Sequence, residues 1–195
     1  YGPAANRGSV IHKLAEDYVQ GKLKTLPEEL NKFTYEFENL QDVYNLEQVE
    51  LEGEWGFTID WEPCGWLEPI TWARIKLDAI HHESPTSARV IDYKTGRMIG
   101  NEIAHSQQAL IYAIGTFFKF PTLQHVQTEL WYLDHGKTTL QAYTRDEAMV
   151  FMPTLHQRAL VMTTATNFMP VPSKSNCKWC SYKNGNNPTC QHGIK

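Results

Sequence analysis

Apolar residues recur at helical spacing near the start of the chain, switch to strand spacing, and return to helical spacing twice more. Val10, Ile11, Leu14, Tyr18 and Val19 follow the helical period, with Ser9 as the predicted cap and Gly21 as the stop. A second predicted helix begins near Pro27, carries Glu28 and Glu29 in its first turn, and presents Leu30, Phe33, Phe37 and Leu40 as its buried stripe. The period then drops to two. Val49 and Leu51 alternate with Glu50 and Glu52 towards Glu54, Trp55 and Phe57, which predicts a long strand with one wet face. After a loop from Pro63 to Pro69, Ile75, Leu77 and Ala79 alternate with Arg74, Lys76 and Asp78, placing Asp78 on a polar strand face. The segment 81–87 turns the chain back into a strand over 88–94, so Asp78 and Asp92 are predicted on adjacent antiparallel strands, about 4.8 Å apart. A helix over 102–119 comes next, then a hairpin of 126–133 and 138–143 across Asp134-His135-Gly136-Lys137. A last helix runs from Asp146 to Thr166, kinked or restarted at Pro153.

The strand Arg89-Val-Ile-Asp-Tyr-Lys-Thr-Gly96 carries the most chemistry. Alternation puts Asp92 and Lys94 on one face, Ile91 and Tyr93 on the other. A carboxylate able to hold a cation, beside an ammonium able to face a phosphate or a water, is the minimal equipment for metal-assisted phosphodiester cleavage. Taken alone, the same residues serve equally well as an edge-strand salt pair ending in a turn. Asp78 across the hairpin supplies a second carboxylate within reach of one cation, and Gln108 and Tyr112 stand one turn apart on the following helix.

With 195 residues, 42% of them hydrophobic, the chain has enough apolar material for the core of one ordinary domain. Its net charge of -4 argues against a whole-domain electrostatic grip on nucleic acid and leaves room for a local basic patch. No run approaches the roughly 20 apolar residues of a membrane span. The start, Tyr-Gly-Pro-Ala-Ala-Asn-Arg-Gly, lacks the regions of a signal peptide, so an intracellular protein is expected. From Val171 onwards there are Lys174, Lys178, Lys183 and Lys195 and no acid, interleaved with Trp179 and Tyr182. Cys177, Cys180 and Cys190 cluster in that tail and point to a metal site rather than a disulfide framework, whereas Cys64 reads as a lone turn or core thiol. Four thiolates suit a [4Fe-4S] cluster; with His192, the three cysteines could instead form a zinc site. A core over 1–168 and a cysteine-rich tail over 169–195 are the expected parts.

In order, Gly8-x3-His12, Asp78, Asp92-x-Lys94, Gln108-x3-Tyr112 and the cysteine cluster resemble the RecB-like branch of the PD-(D/E)xK nuclease superfamily. The resemblance spans Gly8 to Cys190 and is closest to phage-type and CRISPR-adaptation-type nucleases. Each piece recurs by chance; five in this order are specific. The resemblance implies an α/β, restriction-endonuclease-like core, a mixed central β-sheet flanked by helices, with the cysteine-rich tail packed on it. It implies that His12, Asp78, Asp92 and the backbone carbonyl of Tyr93 bind Mg2+ or Mn2+, and that Lys94 orients the attacking water or stabilises charge on the phosphate. Gln108 and Tyr112 would position Lys94 or the DNA backbone, and Glu54 matches a place where related exonucleases carry an extra acid. In the tail, Cys177, Cys180 and Cys190 would hold an iron-sulfur cluster, or zinc, and present Lys178, Trp179 and Lys183 to DNA. Two departures stand out: relatives usually take a fourth cysteine from before the first helix, where this sequence has none, and the gap to Cys190 is longer than usual.

The activity so implied is a divalent-metal-dependent deoxyribonuclease, an exonuclease on DNA ends or single strands in phage or microbial recombination, repair or CRISPR adaptation. It would work in the cytoplasm of a bacterial or archaeal host, itself cell- or phage-encoded. The sequence has no Gly-x4-Gly-Lys-Ser/Thr phosphate loop, so any unwinding would need a helicase or recombination partner. The alternatives are a structure-specific endonuclease and a non-catalytic nucleic-acid-binding subunit that keeps the fold.

Overall fold

The strand-period segments pair into one mixed sheet, and the helical segments of the first 150 residues pack on it. The computed structural model describes residues 2–182 and 190–194 and divides into two units, 1–153 and 154–195. The expected boundary at 168 lies within the second unit. The elements are α1 (Pro3–Val19), a 3-10 turn (Glu28–Phe33), α2 (Thr34–Asn45), β1 (Val49–Phe57), β2 (Pro63–Cys64), β3 (Ala73–Ser84) and β4 (Ser87–Lys94). They continue with α3 (Glu102–Lys119), β5 (His125–Tyr132), β6 (Lys137–Thr144), α4 (Arg145–Val150), α5 (Met152–Thr164) and α6 (Lys174–Trp179). Strand order is β2-β1-β3-β4-β5-β6. Among the described residues only β4 and β5 pair in parallel, and α3 is the crossover such a pair requires. This is the restriction-endonuclease-like architecture the sequence led us to expect.

One face of the sheet is sealed by α1, the 3-10 turn and α2. Ile11, Ala15 and Tyr18 meet Phe33, Phe37 and Leu40 over Ala79, Ile91, Tyr93 and Trp131 in a single buried cluster. Phe33 stacks on Trp131 at 5.4 Å, and Phe37 touches both Tyr93 and Trp131 at 5.3 Å. Burying each of these side chains contributes roughly 1.5–3 kcal/mol. Because neighbours on a strand point to opposite faces, anchoring Ile91 and Tyr93 here obliges Asp92 and Lys94 to face α3.

Several details differ from the sequence expectation. α1 starts at Pro3, whose fixed φ suits a first helical position. Ser9 is therefore inside the helix, its hydroxyl donating to Ala5 O, and is no cap. The second predicted helix opens as a 3-10 turn, and the predicted loop 63–69 contains the short β2. The last helix does restart near Pro153, as expected: α4 begins with a capping box between Thr144 and Glu147, and α5 follows after Phe151 with no buried residue among those described. β1 does not keep one wet face. Val49 and Leu51 pack with the α1/α2 cluster, whereas Trp55 meets Phe120 at the end of α3. The change of side falls at Glu52, whose φ of +52° lies in the left-handed region. Leu51 pairs with Ala79 and Gly53 with Leu77, leaving Glu52 and Asp78 opposite each other without a ladder pairing. No helix is long and apolar enough to cross a membrane among the described residues.

The crossover ends on Arg145. Its guanidinium lies over the Phe117 ring and donates to the carbonyls of Phe117, Phe120, Pro121 and Leu123, at 2.7–3.1 Å. A cation there satisfies carbonyls that the helix end leaves free. Arg145→Ala should lower unfolding stability in urea by about 2–3 kcal/mol, with Arg145→Lys recovering little; a loss under about 0.5 kcal/mol would show that the cap is dispensable.

Candidate active site

At the carboxyl end of β4, four side chains close a ring. Tyr112 donates its hydroxyl hydrogen to Asp92 Oδ1 at 2.6 Å, and Gln108 Nε2 donates to the Tyr112 oxygen at 2.6 Å. Lys94 Nζ donates to Gln108 Oε1 at 2.7 Å and lies 2.6 Å from Asp92 Oδ2. The last contact is an ion pair without the angles of a hydrogen bond, so Oδ2 keeps unused acceptor capacity although it is buried. The one-turn spacing of Gln108 and Tyr112 lets α3 touch both members of the Asp-x-Lys pair at once.

Asp78 closes the site from β3. The β3–β4 ladder stops at Ala79 and Ile91, and beyond it Asp78 Oδ2 accepts the Tyr93 backbone N–H at 2.6 Å. His12 Nδ1–H donates to Asp78 Oδ1 at 2.8 Å. Gly8, one turn earlier, explains how α1 comes so near: a Cβ there would stand 3.1 Å from Thr95 Oγ1, just past Lys94. The helix histidine, the two aspartates, Lys94, Gln108 and Tyr112 are thus brought together around the end of β4.

Charge dominates this region. Asp78 and Asp92 are 7% and 6% exposed. Burial, and then the charge of Asp78, push the Asp92 carboxyl above the usual carboxylate range against the pull of Lys94 and Tyr112. Burial works against a charged His12, but the hydrogen bond and charge of Asp78, helped by Asp92 and Glu52, raise its pKa overall. Burial and Asp92 also push the Tyr112 phenol far up, so it stays a hydrogen-bond donor.

A cavity of about 440 Å³ opens beside Asp78, lined among others by Gly8, Ser9, His12, Lys13 and Glu52. Glu52 and Glu16 line this cavity together with Asp78. Glu54 sits outside its lining, half-exposed and paired with Lys76 at 3.1 Å, while Glu52 holds the same ammonium at 3.0 Å from the cavity side. Regular alternation reads Glu52 as wet-face, and no glycine or asparagine signals its left-handed backbone. Sequence reading also missed Asp134 in the β5–β6 turn. It accepts two bonds from Arg7 of α1, at 2.7 and 3.0 Å, and the Gly96 N–H at 2.7 Å. His135 Nε2–H donates to Gly96 O at 2.8 Å. This clamp ties α1 to the loop leaving Lys94.

Among the described residues, no group of three or more His, Cys, Asp and Glu side chains is arranged to hold a metal ion. The donors around Asp92 nevertheless fit a hard divalent cation in kind: two buried carboxylates that repel each other, one imidazole, and an Asp92 oxygen lacking a hydrogen bond. The tail is different. Cys177, Cys180 and Cys190 are free thiols that form no ligating group among the described residues. Lys178 is exposed, while Lys183 and the Trp179 side chain lie outside the described residues. Cys64 lies in β2, paired with Gly56 rather than in a turn, its sulfur 3.5 Å from Thr71 Oγ1.

No curated protein matches the chain. A solved structure titled "Crystal structure of SSO0001" aligns with 95% of this chain and 98% of its own at 16% identity and a TM-score of 0.36, a likeness too remote to carry an argument. The family model of the PD-(D/E)XK nuclease superfamily matches residues 2–185, a span that takes in the whole sheet, α1, α3 and the site at the end of β4. By that match the chain belongs to the PD-(D/E)XK nuclease superfamily.

Proposed function

We propose that the chain is a Mg2+- or Mn2+-dependent deoxyribonuclease that works as an exonuclease on DNA ends or single strands. The observation that carries this reading is the closed ring around Asp92, set against Asp78 and His12 at the end of β4. His12, Asp78, Asp92 and the Tyr93 carbonyl are the proposed holders of the divalent ion, with Glu52 in place of Glu54 as the additional acid. When bound, the ion polarises the phosphodiester and makes a hydroxide-like water accessible at neutral pH. Lys94 holds a positive charge beside the phosphate or the water, and Gln108 fixes where that charge points. Tyr112 and Lys94 hold the two Asp92 oxygens, Oδ1 and Oδ2, and so fix the orientation of the carboxylate.

The preference for ends or single strands, a helicase or recombination partner, and a role in phage or microbial repair or CRISPR adaptation rest on the sequence resemblance. So does the tail reading, in which Cys177, Cys180 and Cys190 bind a [4Fe-4S] cluster or zinc and Lys178, Trp179 and Lys183 meet single-stranded DNA, where bases can stack on an aromatic ring.

With Mg2+ present, wild-type protein should degrade end-labelled linear DNA and leave closed circular DNA intact, and chelation should stop it. Cutting of the closed circle would make it an endonuclease. Asp92→Asn and Lys94→Ala should each lower cleavage at least about a hundredfold with the circular-dichroism spectrum unchanged; retained activity in either contradicts the assignment. Tyr112→Phe removes one hydroxyl and should cost roughly tenfold in kcat. For the tail, visible charge-transfer absorbance in the purified protein, lost in Cys177→Ser, marks the iron-sulfur cluster, and a colourless zinc-bearing protein marks the alternative.

A further inference from the structure

The α3 face that carries Gln108 and Tyr112 carries a third polar side chain for which the nuclease reading has no role. His105 precedes Gln108 by three residues and Tyr112 by seven, the spacing that aligns side chains along one side of a helix. Gln108 and Tyr112 reach β4, at Lys94 and Asp92. His105 reaches β5: its Nδ1 lies 2.8 Å from the Tyr132 hydroxyl, with the two rings 5.6 Å apart. Tyr132 is the register partner of Lys94 on the parallel strand. Side chains at paired positions leave the same face of a sheet about 4.8 Å apart. Lys94 and Tyr132 therefore stand side by side, with Gln108 over the first and His105 over the second.

The hydrogen bond shared with Tyr132 is compatible with either neutral tautomer of the ring. If the phenol donates to Nδ1, the neutral imidazole carries its proton on Nε2. Burial, and then the positive charge of Lys94, lower the His105 pKa, which favours the neutral ring. Nδ1 makes the one hydrogen bond shown for this side chain, and Nε2 has no partner among the described residues. The residue is half-buried, with one edge open to solvent. An N–H donor held in place beside a lysine ammonium, with no protein acceptor of its own, matches a phosphate oxygen of a polynucleotide.

We propose that His105 contacts substrate directly: its Nε2–H donates to a non-bridging oxygen of the phosphate next to the scissile one, and Tyr132 is the positioning residue that holds the ring. This rests on the reading of Asp92 and Lys94 as the nuclease centre. Lys94 serves the scissile phosphate, and His105, nearer the start of α3, takes its neighbour.

The test separates this contact from cleavage itself. Binding of a short fluorescein-labelled single-stranded oligonucleotide, followed by anisotropy in EDTA, should weaken about tenfold in His105→Ala. His105→Gln, whose amide N–H can replace the donor, should recover most of the loss, and Tyr132→Phe should lose less than His105→Ala. In an oligonucleotide series with one neutral methylphosphonate linkage, one position should bind wild type and His105→Ala equally. In Mg2+, His105→Ala should raise KM for linear DNA by a similar factor with kcat and Mn2+ affinity unchanged. Equal binding by wild type and His105→Ala, or the same deficit at every methylphosphonate position, overturns the proposal. If wild-type protein binds but cleaves nothing in any divalent metal, the nuclease reading fails, while the binding series still decides the role of His105.

Discussion

Two buried carboxylates that feel each other's charge are the constraint around which this protein is organised. Asp78 and Asp92 are nearly sealed from water, and each unpaired charge in such a place costs several kcal/mol. Every nearby element contributes to offsetting that cost. α1 brings the His12 N–H to Asp78, β4 lends the Tyr93 N–H, and α3 brings Tyr112 to Asp92 and Gln108 to Lys94. The aromatic layer of Phe33, Phe37 and Trp131 holds Tyr93 down, and so keeps Asp92 and Lys94 turned the other way. Even with these partners, Asp92 holds its proton more tightly than an ordinary carboxyl, which is the electrostatic signature of a site with room for more positive charge.

The ring around Asp92 also shows how a site gains definition from few residues. Lys94 donates to the Gln108 oxygen, which leaves the Gln108 nitrogen to donate to Tyr112, which in turn donates to Asp92. Each bond fixes the orientation of the next, so the amide of Gln108 and the hydroxyl of Tyr112 have one satisfied arrangement. Cooperative chains of this kind rigidify a site when every member is satisfied. The Asp134 clamp does for the backbone what this ring does for the side chains, tying α1 and the loop beyond Lys94 to one turn.

What the sequence made legible was whatever local periodicity encodes. Strict alternation put Asp92 and Lys94 on one strand face, and helical spacing put Gln108 beside Tyr112; the structure keeps both. His12 carries no such signal by itself, and only the order of motifs points to it. Glu52 was misread because its left-handed backbone reverses the pleat of β1, a tertiary demand with no glycine to announce it. Asp134 and His105 act through partners more than 25 residues away, Arg7, Gly96 and Tyr132, and such pairings leave no mark in a local pattern. The start of α1 was misplaced for a simpler reason: Ser9 looks like a cap, but Pro3 already satisfies the requirements of a helix start.

The central claim, that the Asp78 and Asp92 pair exists to hold a divalent cation, is tested most directly by metal binding rather than by cleavage. Titration of the wild-type chain with Mn2+, with free ion counted by electron paramagnetic resonance, should show saturable binding. Asp78→Asn and Asp92→Asn should each remove that binding while the protein stays folded. Equal Mn2+ binding by wild type and both variants would contradict the account, as would wild-type protein that binds none.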